Sequence, residues 1–190
     1  MNQRGLSRAV VLGAAVVLVV SLMVTSVGEN TATAAKPSSP RFVDNGDGTI
    51  TDSQTGLMWE IKTTGGGGLQ DVTRVYTWSS SGSDPDGALF TTFLAQMNCE
   101  SSTDGSCPFG GKYQDWRIPT VAELRSILDC TFFPCIDPVF GPTAPSYYWS
   151  SSSSAIDPAR AWWVWFDSGD TLADGKLAAG RVRAVHGGLR

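Results

Sequence analysis

The sequence predicts an α+β domain, a mostly antiparallel sheet with two helices and long irregular loops. Short strand-like runs separated by Gly, Asn and Asp turns stand at both ends of the chain, and two stretches with helical apolar spacing stand between them. Twenty-one glycines, ten prolines and seven tryptophans fit short elements with much aromatic packing. Hydrophobic residues at 42% and charged residues at 17% exclude a disordered chain and a coiled coil. No internal repeat or second domain is visible.

The elements follow in order. Arg41-Phe42-Val43, Thr49-Ile50-Thr51 and Leu57-Met58-Trp59 read as a tight β-meander, with Asp44 to Gly48 and Ser53 to Gly56 as its turns. The first turn is not a calcium loop of the EF-hand kind, because Gly46 and Gly48 fall where ligands belong. Gly65 to Gly68 lacks the Lys-Ser/Thr of a phosphate-binding loop and is expected to be a flexible loop. A helix is expected from about Pro85, with Phe90, Phe93, Leu94 and Met97 as its core stripe. A second helix is announced by Thr120 and Glu123, the two halves of a capping box, with Val121, Leu124, Ile127 and Leu128 on one face and an end near Cys130. Four prolines between residues 134 and 145 mark an irregular stretch. Strands are expected over Tyr147 to Ser151, Ala161 to Phe166 and Arg181 to His186, with a turn at Ser168-Gly169-Asp170.

The N-terminus reads as an export signal. Arg4 and Arg8 precede an apolar run from Ala9, and Ala32-Thr33-Ala34 gives the small-x-small pattern cut by signal peptidase, after Ala34 or Ala35. The alternative is an uncleaved anchor over Ala9 to Val27. No cysteine stands near the site, so a bacterial lipoprotein anchor is excluded. The expected organisation is residues 1–34 as signal peptide, 35–40 as linker and 41–188 as one domain. The formal charge of −4 becomes −5 once Arg4, Arg8 and Glu29 are removed. Without a basic run, nucleic-acid binding is not expected.

Cys99, Cys107, Cys130 and Cys135 all lie in the exported part, and an even count there implies two disulfides. Three pairings exist; neighbour pairing, Cys99 with Cys107 and Cys130 with Cys135, closes two short loops and is favoured. The spacings suit neither a Cys-x-x-Cys redox pair nor a zinc site. No cofactor or metal is expected.

Four stretches carry a family resemblance: Arg41 to Trp59, Asp115 to Leu124, Tyr148-Trp149-Ser150-Ser151, and Gly180 to Val185. Together, and in this order, they resemble the Lcl C-terminal domain family, named from a collagen-like bacterial adhesin. The resemblance implies a divergent C-type-lectin-like fold, a scaffold displaying variable loops for recognition. The namesake is a surface adhesin that binds sulfated polysaccharides. Here no collagen-like Gly-X-Y run precedes the domain, His186 stands where an arginine is expected, and the lectin motifs Glu-Pro-Asn and Trp-Asn-Asp are missing.

Several residues invite a role. Asp115, Trp116 and Arg117 place an acid and a base around an aromatic just before a capped helix. Arg117 is expected to be structural, its fork satisfying buried carbonyls or a carboxylate. Ser150 to Ser154 is either a ligand-facing loop or a plain connection. In Trp162-Trp163-Val164-Trp165-Phe166, strand alternation sets Trp163 and Trp165 opposite Trp162, Val164 and Phe166. Core packing that buries both faces is the favoured reading; if one face is offered to a ligand instead, Trp163 and Trp165 are the pair expected to be exposed. The candidate ligand-binding residues are therefore Trp149, Ser151, Arg160, Trp163 and Trp165.

The single histidine, His186, and the lack of a Gly-x-Ser-x-Gly elbow speak against nucleophile-triad catalysis. The expected function is an exported, non-enzymatic, adhesin-like recognition domain, secreted or periplasmic, binding a carbohydrate or protein ligand. A homo-oligomer is left open. The alternatives are a structural subunit of an extracytoplasmic assembly and a glycan hydrolase.

Overall fold

Turn chemistry shapes the N-terminal end. In the computed structural model, which describes residues 40–100 and 107–187, strands β1 (Phe42–Asp44), β2 (Thr49–Asp52) and β3 (Met58–Glu60) form an antiparallel meander. The expected signal peptide and its cleavage site lie outside the described residues. In the first turn Asp44 accepts the Gly46 N–H at 2.8 Å and Gly46 and Gly48 adopt positive φ, so the aspartates serve a hairpin. Asp47 accepts Lys112 Nζ at 2.9 Å and the Tyr113 hydroxyl at 2.8 Å. The Lys112 ammonium, with the Thr49 and Tyr113 hydroxyls, holds this carboxyl far below the usual carboxylate range.

The strands fall into three antiparallel sheets. The C-terminal strand β9 (Val185–His186) pairs with β3 and completes the order β1-β2-β3-β9. Strands β5 (Tyr147–Ser153), β6 (Arg160–Trp165) and β7 (Thr171–Gly175) form a second sheet, and β4 (Tyr76–Thr77) with β8 (Ala179–Gly180) a two-stranded ribbon. Sequence patterning missed β7, whose Leu172 is exposed and whose apolar alternation is weak. Gly180 is glycine for a packing reason: a Cβ there would lie 2.7 Å from the Trp149 indole nitrogen.

The first helix begins at Leu89, later than expected from Pro85, as a π-helical run Leu89–Leu94 continuing into α1 (Ala95–Met97). The delay has a local cause. Gly87 lies so close to the ribbon that a Cβ would meet the Thr77 carbonyl oxygen at 2.3 Å, and Asp86 is engaged with the Ser79 hydroxyl and the Ser80 N–H. Helix α2 (Val121–Ser126) carries the expected capping box between Thr120 and Glu123, but stops four residues short of Cys130. The four-glycine loop is tied down by Asp71, which accepts the Gly67 N–H at 2.9 Å, and by Arg74, which donates to the Gly67 carbonyl at 3.0 Å from Nε.

The core has two halves, one on each face of β5 and β6. On one side Trp149, Ala161 and Trp163 pack with Tyr76, Trp78, Leu89, Phe93, Met97 and Trp116. On the other, Tyr148, Val164 and Phe166 pack with Leu124 and Ile127 of α2 and with Ile50, Trp59 and Val185 of the first sheet.

The first sheet is locked by a buried polar cluster. Arg183 is fully buried; its Nη1 donates to the carbonyls of Glu60 (2.6 Å) and Phe140 (3.1 Å), and its Nη2 to the Thr143 hydroxyl (2.8 Å). The buried Glu60 carboxylate accepts the Ala184 N–H at 2.8 Å and Lys62 Nζ at 2.7 Å. Burial pushes the Lys62 ammonium down, against the opposing pull of Glu60. Arg183 thus satisfies two buried carbonyls by itself. Its removal leaves carbonyls and a charged neighbourhood unmatched. Arg183→Ala is expected to cost ~3–5 kcal/mol in denaturant unfolding with the disulfides intact, and Arg183→Lys, which lacks the planar fork, to recover only part of it.

Candidate functional site

The aromatic run is a two-sided core strand, as the favoured packing reading has it, and this corrects the ligand-facing alternative that named Trp163 and Trp149 as site residues. Trp163 is only 8% exposed and stacks between Trp149 (ring centroids 5.0 Å) and Tyr147 (4.0 Å), while Val164 and Phe166 are buried on the opposite face. Trp149 is fully buried as well. Val and Phe do occupy a core, but the tryptophan face meets a second core, made by the first helix and the ribbon. Trp165 is half-buried against Tyr147 (6.2 Å) at the far end of β6. Arg160 opens that strand; it is exposed and pairs with Asp157 at 3.3 Å. Arg160 and Trp165 are five positions apart, about 16 Å along a strand and on opposite faces. The five candidate residues therefore do not form one surface.

Ser151 does reach a cleft. The β5–β6 register shifts between Trp149 and Ser153, and this irregularity carries the serines toward α2. The Ser150 hydroxyl donates to the Trp162 carbonyl at 2.6 Å, the Ser151 N–H to the Pro119 carbonyl at 2.8 Å, and the Ser152 hydroxyl accepts the Val121 N–H at 3.1 Å. That last bond satisfies one of the N–H groups a helix start leaves open. The serine run is strand, and it docks a helix.

The cleft beside it has a volume of about 340 Å³ and is lined by Phe90, Leu94, Arg117, Ile118, Thr120, Glu123 and Ser151. Phe90 and Leu94 are the flank of the helical stripe left half-exposed while Leu89, Phe93 and Met97 turn inward. Arg117 donates to both Glu123 oxygens (2.8 and 2.6 Å) and to the Gly187 carbonyl (2.9 Å). The expected structural ion pair of Arg117 thus exists, with Glu123 as partner. Burial alone would raise the Glu123 carboxyl, but Arg117 and the Thr120 N–H and hydroxyl outweigh it and hold it below its ordinary value. Sequence reasoning had named Phe90, Leu94, Thr120 and Glu123 only as packing or capping groups. No periodicity distinguishes a stripe's buried centre from a flank that lines a cleft.

Asp115 is exposed with φ 67°, a left-handed conformation that aspartate tolerates better than most residues. Trp116 is buried, and Asn98 clamps its backbone reciprocally, accepting its N–H at 2.7 Å and donating to its carbonyl at 2.9 Å. Asn98 adjoins the Cys99–Cys107 disulfide, and the second disulfide joins Cys130 to Cys135, both the favoured neighbour pairs.

The Lcl C-terminal domain profile matches residues 48–186, from the end of the first turn to β9. The chain belongs to the Lcl C-terminal domain family. No curated protein matches it. The Lcl C-terminal domain is not a known enzyme family, and its two disulfides here are consistent with an extracellular domain. Among the described residues no helix is long and apolar enough to cross a membrane.

Two outcomes follow for this Lcl C-terminal domain. Trp163→Ala should cost ~3–5 kcal/mol as a core truncation, whereas Trp165→Ala should move the melting temperature far less. The Glu123 contribution carries a defined sign with pH. Its folded value is depressed, so the stability it supplies is complete above the ordinary glutamate range (about 4.3) and is lost as pH falls through the lower folded value. Melts of wild type and Glu123→Gln should differ by a constant amount from pH 5.5 to 8, roughly 1 kcal/mol for a half-exposed pair, and converge in stronger acid.

Proposed function

We propose that this domain is a non-enzymatic recognition module acting outside the cytoplasm, and that its ligand occupies the cleft between the first helix and α2. The observation that carries the reading is the make-up of that cleft. Phe90, Leu94 and Ile118 supply an apolar lining and Arg117, Thr120, Glu123 and Ser151 a polar one, in about 340 Å³. Small-ligand sites combine an apolar lining with a few placed polar groups at this scale. A sugar presents both surfaces, an apolar ring face and a rim of hydroxyls, so a short carbohydrate suits the cleft better than a flat protein surface does.

The electrostatics support binding over catalysis. Glu123 receives two bonds from Arg117 and further bonds from the Thr120 N–H and hydroxyl. A carboxylate so engaged and held ionised is a poor general acid. The lectin-like scaffold implied by the family resemblance supports the same reading, though fold alone does not fix function.

The test is a glycan array probed with the disulfide-bonded domain, wild type beside Ser151→Trp, which fills the cleft from its strand side. Bound glycans should lose at least tenfold in affinity on Ser151→Trp with little change in melting. Glycan binding indifferent to that substitution would remove the cleft from the reading.

A further inference from the structure

A second apolar concavity lies away from the cleft, behind the loop closed by the Cys130–Cys135 disulfide. Its volume is about 350 Å³, and Phe132, Phe133, Pro134, Ile136, Pro138 and Pro142 line most of it. The loop carries two adjacent phenylalanines into solvent, Phe133 at 74% exposure and Phe132 at 41%.

The backbone that carries them is pinned. Besides the disulfide, the Cys135 N–H donates to the Phe166 carbonyl at 2.7 Å, the Asp129 N–H to the Cys135 carbonyl at 3.1 Å and the Phe132 N–H to the Asp129 carbonyl at 3.3 Å. The Asp129 carboxylate accepts both the N–H (3.0 Å) and the hydroxyl (2.6 Å) of Thr131, bonds that hold it below the usual carboxylate range. The backbone ordering that docking requires is therefore already in place. Exposed aromatic side chains on such a backbone are usual anchors of protein interfaces.

Aspartates gather around the loop, while the cation nearest to it in sequence is the exposed Arg125 in the last turn of α2. Asp129 stands at the foot of the loop and Asp137 just beyond it. The Asp167 carbonyl lies 3.6 Å from Cys135 Sγ, and the exposed Asp170 is bonded to Ser168, whose carbonyl lies 3.8 Å from Cys130 Sγ. The sequence has no lysine or arginine from residue 126 to 159, nor from 161 to 175.

We propose that the Cys130–Cys135 loop is a protein-docking surface. Its partner seats an apolar side chain in the groove behind Phe133 and sets lysine or arginine side chains against Asp129, Asp167 and Asp170. The charge selects this occupant. A second copy would bring the same aspartates against themselves, and an anionic bilayer would repel them. The proposal stands apart from the cleft and survives if the cleft binds nothing.

The probe is a library of random dodecapeptides displayed on phage, selected against the full disulfide-bonded chain, with the selected peptides then synthesised and titrated. Expected are peptides that combine an apolar anchor with two or more basic residues. Phe133→Ser should weaken them by at least about thirtyfold, a hot-spot magnitude. Asp167→Asn with Asp170→Asn should weaken them several-fold, an effect that vanishes in molar salt. The exposure of all three side chains predicts wild-type melting for both variants, and the aspartate pair gives a reading independent of Phe133. Selection of no peptide, selected peptides without basic residues, or binding indifferent to both variants would overturn the proposal. Phe133-dependent flotation with phosphatidylglycerol vesicles would replace the partner with a membrane, and Phe133-dependent dimers in sedimentation would replace it with a second copy; either result overturns it.

Discussion

The structure depends most on the buried contact between Glu60 and the segment Arg183-Ala184. Backbone and side chain act together there. The Glu60 N–H donates to the Ala184 carbonyl at 3.1 Å while its carboxylate accepts the Ala184 N–H, and Arg183 donates to the Glu60 carbonyl. The two residues are 123 and 124 positions apart in sequence, so nearly the whole domain is a loop closed by this cluster. Arg183 extends the closure to a third segment through the Phe140 carbonyl and Thr143. A charged residue in that position is costly to desolvate, and only a fork with several well-placed acceptors offsets the cost.

Once the ends are closed, the β5–β6 sheet has no free face. The first helix and ribbon cover one side, α2 and the first sheet the other. This sandwiching explains why five consecutive residues, Trp162 to Phe166, can all be apolar without making an adhesive surface. It also explains the serines beside them. Where the β5 register breaks, short hydroxyls bond the Trp162 carbonyl and the start of α2, positions a bulky residue could not fill. The cleft lies between the start of α2 and the half-exposed flank of the first helix, Phe90 and Leu94.

Local chemistry was the legible part. The meander, the Thr120–Glu123 capping box, the neighbour disulfides and the structural place of Trp116 all follow from residues within a few positions of one another. What the sequence left hidden were relations between distant segments. Trp163 looked presentable because alternation describes one strand, and only the second core decides whether its outer face is covered. Arg117 and Arg183 look alike as arginines beside apolar residues. One meets Glu123 six positions on, the other a carbonyl 123 positions back. Phe90 and Leu94 were legible as helical, but their half-exposed flank depends on how α2 lies.

Charge placement narrows the ligand class beyond what net charge does. Most cations of the described chain have a partner within the domain, although Lys112, Arg160 and Arg125 remain exposed. Arg41 pairs with Asp52, Lys62 with Glu60, Lys112 with Asp47 and Arg160 with Asp157. Lys176 is buried, sits 3.9 Å from the Trp78 ring centroid and donates to the Ser83 carbonyl, and Arg181 reaches the Val72 carbonyl and the Ser146 hydroxyl. Arg117, the cation of the cleft, is already bidentate to Glu123. A sulfated polymer would have to compete for cations that are engaged and would meet a net negative domain, so counterion release would contribute little. A neutral sugar loses nothing by this arrangement, because hydroxyls bond ion-paired side chains through the lone pairs and protons that remain. The family resemblance alone points toward polyanions, whereas the disposition of charge in this chain suits the two proposals made here, an uncharged ligand at the cleft and a basic partner at the Cys130–Cys135 loop.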